Sequence, residues 1–161
     1  MANFEFPENC KIVEAIPGQV GAAAAITGDW ISLKNAHRAW AVISYNQNDA
    51  NAITWRIDRA TDVAGTGNVV SAQLHKIWSN LTPATSDLLV ERTPAVNYAS
   101  DAGVTDKMII FEIDPADMGA FDCIRVSSVT VIAVAQWLSA IYIIQPRYQS
   151  AVINQPSIII D

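Results

Sequence analysis

The chain has little of what disulfide-rich, zinc-binding and secreted proteins depend on. Its 161 residues include two cysteines, Cys10 and Cys123, and two histidines, His37 and His75. Two cysteines cannot form a disulfide scaffold, and these four residues show no zinc-ligand spacing. The N-terminus has no basic segment followed by an apolar one, so we expect no secretory signal and synthesis in a cytoplasm.

Charged residues are also scarce, at 16% of the chain, and the net charge is −6. No cluster of lysine and arginine offsets the acidic excess, so we expect neither nucleic acid nor a membrane surface as a partner. Residues 127–144 carry no charge over nearly the length of a membrane span. Polar residues interrupt them and β-branched residues are frequent, which favours buried strands joined by a loop.

Catalytic motifs are missing as well. There is no G-x-S-x-G sequence, and neither histidine lies in a nucleophile motif. The Gly65-Thr66-Gly67 segment lacks the third glycine and the following helix of a dinucleotide-binding fingerprint, so we interpret it as a turn. We therefore expect no enzymatic activity and no cofactor.

Two groups of residues leave alternatives open. One consists of four carboxylates that either hold Ca²⁺ or make turns and local hydrogen bonds: Glu112, Asp114, Asp117 and Asp122. Their spacing matches no calcium-binding loop, so we expect no metal. The other consists of five tryptophans that form either a sugar-binding platform or core and interface contacts: Trp30, Trp40, Trp55, Trp78 and Trp137. Exposed, coplanar indoles would indicate sugar binding.

Short apolar runs rich in β-branched and aromatic residues dominate what remains. Residues 53–58 alternate between apolar and polar, as a half-buried strand does, whereas residues 39–45 are apolar almost throughout. Turn signals separate the runs, and no helical periodicity extends beyond one turn. The pattern predicts an all-β protein: one antiparallel, jelly-roll-like β-sandwich over residues 1–146, with an extended N-terminus and very little helix.

The stretch from 107 to 146 is central to this prediction. Residues 108–113 and 123–126 are predicted to be neighbouring strands of one buried sheet, and residues 138–144 a third strand that ends at Pro146. The predicted core consists of Trp55, Ile57, Ile110, Phe111, Ile113, Ile124, Val126, Ile141 and Ile143.

Residues 147–161 form a predicted C-terminal arm. It carries six large apolar side chains that we expect to contact a partner: Tyr148, Val152, Ile153, Ile158, Ile159 and Ile160. Ordering the arm costs roughly 15–30 kcal/mol, at roughly 1–2 kcal/mol per residue. Full burial of the six side chains returns only about 9–18 kcal/mol. We therefore expect the arm to cross to a neighbouring subunit, where strand hydrogen bonds add to apolar contact. A disordered tail is the alternative.

Several segments resemble small proteins encoded among the head genes of tailed bacteriophages and prophages. They are residues 9–17 (NCKIVEAIP), 28–37 (GDWISLKNAH), 60–67 (ATDVAGTG), 111–115 (FEIDP) and 121–124 (FDCI). Residues 129–137 depart from the pattern, because an apolar loop replaces a polar one.

The resemblance implies a virion structural protein, namely a head decoration, cement or minor capsid protein. Such a protein is made in the host cytoplasm and binds the outer surface of the assembled major capsid protein lattice. By analogy with other decoration proteins, it implies a homotrimer. A tail or receptor-binding virion component and a carbohydrate-binding β-sandwich are the alternatives.

Overall fold

The computed structural model describes residues 6–133, 135–148 and 157–159, which form two antiparallel sheets around one core. The first sheet has six strands, in the order β1 (Lys11–Val20), β11 (Trp137–Pro146), β3 (Ala36–Asn46), β9 (Asp106–Ile113), β6 (His75–Asn80) and β7 (Val90–Ala95). The second has the order β2 (Ile31–Ser32), β10 (Cys123–Ser128), β4 (Thr54–Ala60) and β5 (Val69–Val70), and β8 (Asn97–Ala99) also pairs with β4. The predicted all-β antiparallel sandwich is confirmed.

Helical structure is limited to two short pieces of the described chain. Where an extended start was expected, α1 (Phe6–Asn9) makes a single helical turn, closed by a 2.8 Å hydrogen bond from the Cys10 amide to the Phe6 carbonyl. A 3₁₀ turn at Pro115–Met118 connects β9 to β10. No described helix has the length and apolar character needed to cross a membrane.

Side-chain alternation along the strands builds the core. In β3 the buried residues from Ala39 onward are Ala39, Ala41, Ile43 and Tyr45, and the residues between them are partly exposed. Trp55 of the second sheet is fully buried and lies 5.7 Å from Tyr45 between ring centroids. Burial of these aromatic rings adds to the apolar stabilisation that the aliphatic core residues supply.

The core prediction is correct for six residues and wrong for three. Trp55, Ile57, Phe111, Ile113, Ile124 and Val126 are buried. Ile110, Ile141 and Ile143 instead lie on the outer face of the first sheet, where they are partly exposed. Because successive residues of a strand point to opposite faces, a strand that is apolar at every position cannot direct all its side chains into one core.

The predicted pairing of residues 108–113 with residues 123–126 is also wrong. β9 pairs with β3 and β6 in the first sheet, whereas β10 pairs with β2 and β4 in the second. The polar connection between them crosses from one sheet to the other instead of closing a hairpin. Asp114 starts the 3₁₀ turn in this connection, since its side chain accepts a 2.9 Å hydrogen bond from the Ala116 amide.

Two prolines affect the strands less than the sequence predicts. The sequence predicts a short strand at residues 11–15 that Pro17-Gly18 ends, but β1 continues to Val20, with register shifts on either side of Ile16. It also predicts that Pro94 splits two short strands at an edge or a bulge, but Pro94 lies within β7. Both strands are sheet edges, and the pairing of β7 with β6 has a register shift between Ala95 and Arg92. An edge strand tolerates proline because one side of its backbone needs no partner strand.

The sandwich has two ends that differ in character. At one end, which we call the arm end, the chain turns at residues 33–36, 61–68 and 114–122, and β11 leads into residues 147 and 148. At the opposite end, which we call the groove end, the connections are residues 47–53, 100–105 and 129–136.

A buried polar network ties the groove-end loops together. Gln47 is fully buried and donates to the Asp101 carbonyl at 2.9 Å, while Ser100 donates to the Gln47 side chain at 2.8 Å. The buried Lys107 side chain forms an ion pair with Asp101 and lies 3.3 Å from the Thr105 hydroxyl. This pairing lowers the pKa of the Asp101 carboxyl. The network satisfies polar groups that would otherwise destabilise a buried site.

Tyr142 links the two sheets at the opposite side of the core. Its fully buried hydroxyl accepts a 2.8 Å hydrogen bond from the Val126 amide of β10 and donates to the Asp29 carbonyl at 3.2 Å. Burial raises the pKa of this phenol well above its usual value. The hydroxyl therefore stays neutral and joins β11 to the second sheet.

We expect Tyr142→Phe to lower the free energy of unfolding by about 1–3 kcal/mol, because it leaves the buried Val126 amide without that partner. Urea unfolding at pH 7 measures the change. Tyr148→Phe is the matched control, since Tyr148 is 78% exposed and its replacement should change stability by less than about 0.5 kcal/mol. Equal effects of the two substitutions would contradict a linking role for Tyr142.

Candidate interaction surfaces

The beginning of the C-terminal arm is held at the arm end of the sandwich. The Arg147 amide donates to the Asn35 carbonyl at 2.8 Å, and its Nε donates to the Ala36 carbonyl at 3.0 Å. Tyr148 follows with its ring exposed. Of the six predicted partner-binding residues, Val152, Ile153 and Ile160 lie outside the described residues, so the structure places only Tyr148, Ile158 and Ile159.

Ile158 contacts the chain's own core. It is 8% exposed, and its carbonyl accepts a 2.7 Å hydrogen bond from the Ser32 amide of β2, the edge strand of the second sheet. In this conformation Ile158 is not available to a partner. The neighbouring Ile159 points outward and is mostly exposed. Ile158 thus contacts the edge strand of the chain's own second sheet.

Ile159 borders a recess of about 510 Å³ on the second sheet. Trp30 and Arg125 line the same recess, with the guanidinium carbon 4.7 Å from the indole centroid. Arg125 Nε also donates to the buried Asp58 carboxylate at 3.2 Å. A stacked, paired arginine is well oriented, so this recess presents a rigid polar surface beside the arm.

The Asp58 carboxylate accepts hydrogen bonds from three side chains beside this recess. Besides Arg125, its carboxylate accepts hydrogen bonds from Arg56 Nε at 2.9 Å and from the Ser127 hydroxyl at 2.8 Å. A buried carboxylate requires such compensation. The sequence predicts residues 53–58 to be a strand with polar residues on one face, but nothing in the spacing distinguishes Asp58 from a solvated aspartate.

The Asp62 turn beside this recess confirms the interpretation of Gly65-Thr66-Gly67. Gly65 and Gly67 have φ angles of 81° and 62°, and the Asp62 side chain accepts a 2.9 Å hydrogen bond from the Thr66 amide. These contacts lower the pKa of Asp62. A Cβ atom on Gly65 would lie 2.5 Å from Trp30 Nε1, so the turn also requires glycine for its close approach to the indole.

The four carboxylates considered as Ca²⁺ ligands have other partners. Arg38 pairs with Glu112 and with Asp114, the latter at 3.5 Å. Asp117 accepts a hydrogen bond from Gln73 at 3.4 Å, and Asp122 pairs with Lys34 at 3.6 Å. Within the described ranges no three His, Cys, Asp or Glu side chains are grouped so as to hold a metal ion.

The five tryptophans occupy different environments. Trp55 is buried in the core, Trp30 lies under Arg125, and Trp137 is exposed on the outer face of the first sheet. Trp40 and Trp78 lie partly exposed on that same outer face. Trp55 thus has the predicted core role, and the sugar-binding alternative stays a prediction for the exposed members of the set.

The apolar segment 129–137 forms part of a recess at the groove end. The recess has a volume of about 690 Å³ and is lined mainly by small residues of four connections, including Ala23, Ala50, Ala52, Ala102 and Val131. Sequence reasoning did not identify it, because isolated alanines in separate loops show no pattern until the fold brings them together. Gln136 is buried and holds the segment by accepting from the Ala133 amide at 3.0 Å.

Comparisons with known proteins do not assign the chain to a family. No family model matches it, and no curated protein matches it. Among solved structures, SPBc2 prophage-derived protein YomS aligns over 84% of this chain and 92% of its own, with 10% identity and a TM-score of 0.47. Tobacco streak virus coat protein aligns over 92% and 95%, with 12% identity and a TM-score of 0.26.

A third structure, of infectious bursal disease virus Gx strain, aligns over 84% of this chain and 39% of its own, with 7% identity and a TM-score of 0.28. All three names are those of phage-derived or viral proteins. With TM-scores below 0.5, none of these similarities is evidence for a shared function.

His75 gives the structure a defined response to acid. It points into the core from β6 and meets Phe111 edge-to-face, with 6.1 Å between ring centroids. Burial lowers its pKa from 6.5 to about 4. Below pH 6.5 the unfolded chain therefore binds a proton that the folded chain does not, and stability falls as the pH approaches 4.

We expect protonation linked to His75 to lower the free energy of unfolding by about 2 kcal/mol as the pH falls from 7.5 to 5. His75→Leu should abolish that part of the loss. The difference in free energy of unfolding between variant and parent should therefore change by about 2 kcal/mol between pH 7.5 and pH 5. His37→Leu is the control, because His37 is exposed. Urea unfolding at the two pH values measures the stability of each protein. The same pH dependence in the parent and in His75→Leu would contradict the assignment of this loss to His75.

Proposed function

We propose that this chain is a bacteriophage virion structural protein, specifically a head decoration protein that binds the outer surface of the assembled major capsid lattice. The observation that carries the proposal is where the phage-resembling segments lie. Segments 60–67, 111–115 and 121–124 lie at the arm end, together with the beginning of segment 9–17 and the end of segment 28–37, whose other residues run along the sheets away from it. The departing segment, residues 129–137, lies at the groove end. A shared binding role therefore belongs to the arm end.

The chemistry of the arm end supports this role. Several of its charged side chains are held in pairs, Arg38 with Glu112 and Asp114, and Lys34 with Asp122, which orients these charges at the surface. The exposed side chains of Tyr148 and Ile159 add apolar contact area. Such a mixture of paired charges and a few apolar anchors is typical of protein interfaces. We propose that binding is the whole activity, without catalysis or a cofactor.

We expect the protein to bind assembled heads in preference to free capsid subunits. A lattice places several subunits side by side, so one copy can contact more than one of them and the effective affinity rises. Cosedimentation with empty heads, compared with pull-down of unassembled capsid protein, measures the preference. Equal binding to both forms, or binding to neither, would contradict the proposal. Location on tails in electron micrographs would indicate the tail alternative.

We expect the arm to be required for attachment. A chain truncated after Pro146 should remain a folded β protein by circular dichroism and lose at least about tenfold in head affinity, the equivalent of roughly 1.4 kcal/mol. Ile158→Ser separates the two effects of truncation, since it removes the core contact of the arm but keeps its exposed residues. Val131→Lys, at the groove end, is the control that should bind normally. Unchanged head binding after truncation would rule out the arm as connector.

A further inference from the structure

The groove end of the sandwich presents apolar side chains to solvent. Its described connections expose five valine and leucine side chains: Leu88, Leu89, Val104, Val129 and Val131. Val131 belongs to the wall of the recess of about 690 Å³, and a 2.7 Å hydrogen bond from the Thr105 hydroxyl joins the loops that carry Val104 and Leu88. An apolar cluster of this kind on a soluble protein generally marks a binding site. We call the recess and these five side chains the groove-end surface.

Hydrogen bonds between connections hold the walls of the recess in place. The Ala23 amide donates to the Ile132 carbonyl at 3.0 Å, which ties the first connection of the chain to the last one. Gln136 Nε2 donates to the Asp49 carboxylate at 3.2 Å, which ties the last connection to the one between β3 and β4. The recess therefore exists before any partner binds, and a partner spends little free energy on ordering it.

The backbone of Ala23 is strained at this wall. Its φ angle is 54°, and no other non-glycine residue in the described part of the chain has a positive φ. A Cβ atom makes left-handed backbone unfavourable, so the surrounding contacts must impose this conformation. Strained backbone of this kind is concentrated at functional sites, which agrees with a binding role for the recess.

The charged side chains of the groove end are acidic. Five connections make up this end: residues 21–26, 47–53, 81–89, 100–105 and 129–136. They contain no lysine or arginine and three aspartates, Asp49, Asp87 and Asp101. Asp106 follows at the start of β9. Lys107 comes next, but its side chain is fully buried and paired with Asp101.

The cations farther along the adjoining strands have partners of their own. Arg56 of β4 pairs with Asp58, and Arg92 of β7 donates to the Ser79 hydroxyl at 2.7 Å. On the recess wall, Asp49 accepts hydrogen bonds from a backbone amide and a glutamine side chain, which are both neutral. Within the part of the chain that the structure describes, no cation pairs with Asp49. The groove-end surface therefore combines an apolar recess with negative charge that this chain does not offset.

We propose that the groove-end surface binds a segment of another protein that carries a large apolar side chain between basic residues. The apolar side chain fills the recess, whose volume is in the range of binding pockets, and contacts its alanines and Val131. The basic residues face Asp49, Asp87 and Asp106, so charge steers this partner and selects it. A second copy of the chain fits less well, because its net charge of −6 opposes approach to an acidic surface. This binding goes beyond capsid attachment, since it uses the end opposite the arm.

Fluorescence anisotropy of labelled peptides, titrated with the full chain, tests this proposal. The probe is the peptide GKKWKKG, which places one indole between lysines. The peptide GKKAKKG lacks the large apolar side chain, and GEEWEEG reverses the charge. We expect GKKWKKG to bind saturably, and each of the other two peptides to bind at least about tenfold more weakly.

Three variants assign the binding to the groove-end surface. Val131→Lys removes an apolar wall residue and adds a positive charge, so it should weaken GKKWKKG binding at least about tenfold. Leu74→Lys is the matched control, since Leu74 is 66% exposed at the arm end and its replacement should leave the affinity unchanged. Asp49→Asn keeps the shape of the recess but removes a charge, so it should reduce the salt dependence of binding.

Circular dichroism and thermal melting establish that each variant is folded. Equal binding of GKKAKKG or GEEWEEG, or equal loss of affinity in Val131→Lys and Leu74→Lys, would overturn the proposal. Sedimentation equilibrium of the chain alone examines the remaining occupant. A mass above 17.4 kDa that Val131→Lys returns to 17.4 kDa would assign the surface to a second copy instead. Head binding should survive Val131→Lys, so failure of this proposal is distinguishable from failure of capsid attachment.

Discussion

The organising constraint of this structure is the strict alternation of side chains along antiparallel strands. In the first sheet, one set of positions supplies Ile43, Phe111 and Tyr142 to the core, and the intervening set forms an outer face. The two sets cannot exchange without a register shift that would expose the core. The partly exposed Val42, Ile110 and Ile141 on the outer face are therefore a fixed consequence of how the core is built.

Besides the shared apolar core, hydrogen bonds to backbone groups connect the two sheets. Tyr142 binds β10 from β11, and Ile158 binds the edge of β2 from the end of the chain. Both contacts reach the second sheet from β11 or from residues that follow it. The end of the chain thus takes part in closing the sandwich, and any role of the arm in attachment is coupled to the stability of the domain.

The two ends of the sandwich differ in how their polar side chains are buried and paired. At the groove end, Gln47 and Lys107 are buried and their partners belong to the same loops, which stabilises the loops themselves. At the arm end, ion pairs such as Arg38 with Asp114 remain partly exposed, where they contribute little stability but fix a charge pattern. A partner that approaches the arm end meets oriented charges, whereas the groove end presents mainly small apolar side chains.

Local signals in the sequence determined the class of the fold and the positions of most strands. Residues 54–58, 108–113 and 138–144 all fall within strands, so the predicted strand at 53–58 is off by one residue. Runs of β-branched and aromatic residues between turn residues favour extended chain wherever they occur. The glycine turn at 65–67 and the edge position of Pro94 follow from backbone geometry, which is equally local. The count of two cysteines is by itself too low for a disulfide scaffold.

Tertiary structure alone decided which strands share a sheet and which apolar residues face inward. The segment 114–122 gives no local sign that it crosses between sheets, and Ile110 has the same chemistry as the buried Ile109 beside it. The burial of Asp58 and Ile158 likewise depends on partners more than 60 residues away. Residue type and spacing indicate the local preference of the backbone. Which strands pair, and which side chains point into the core, is set by long-range packing that exists only in the folded chain.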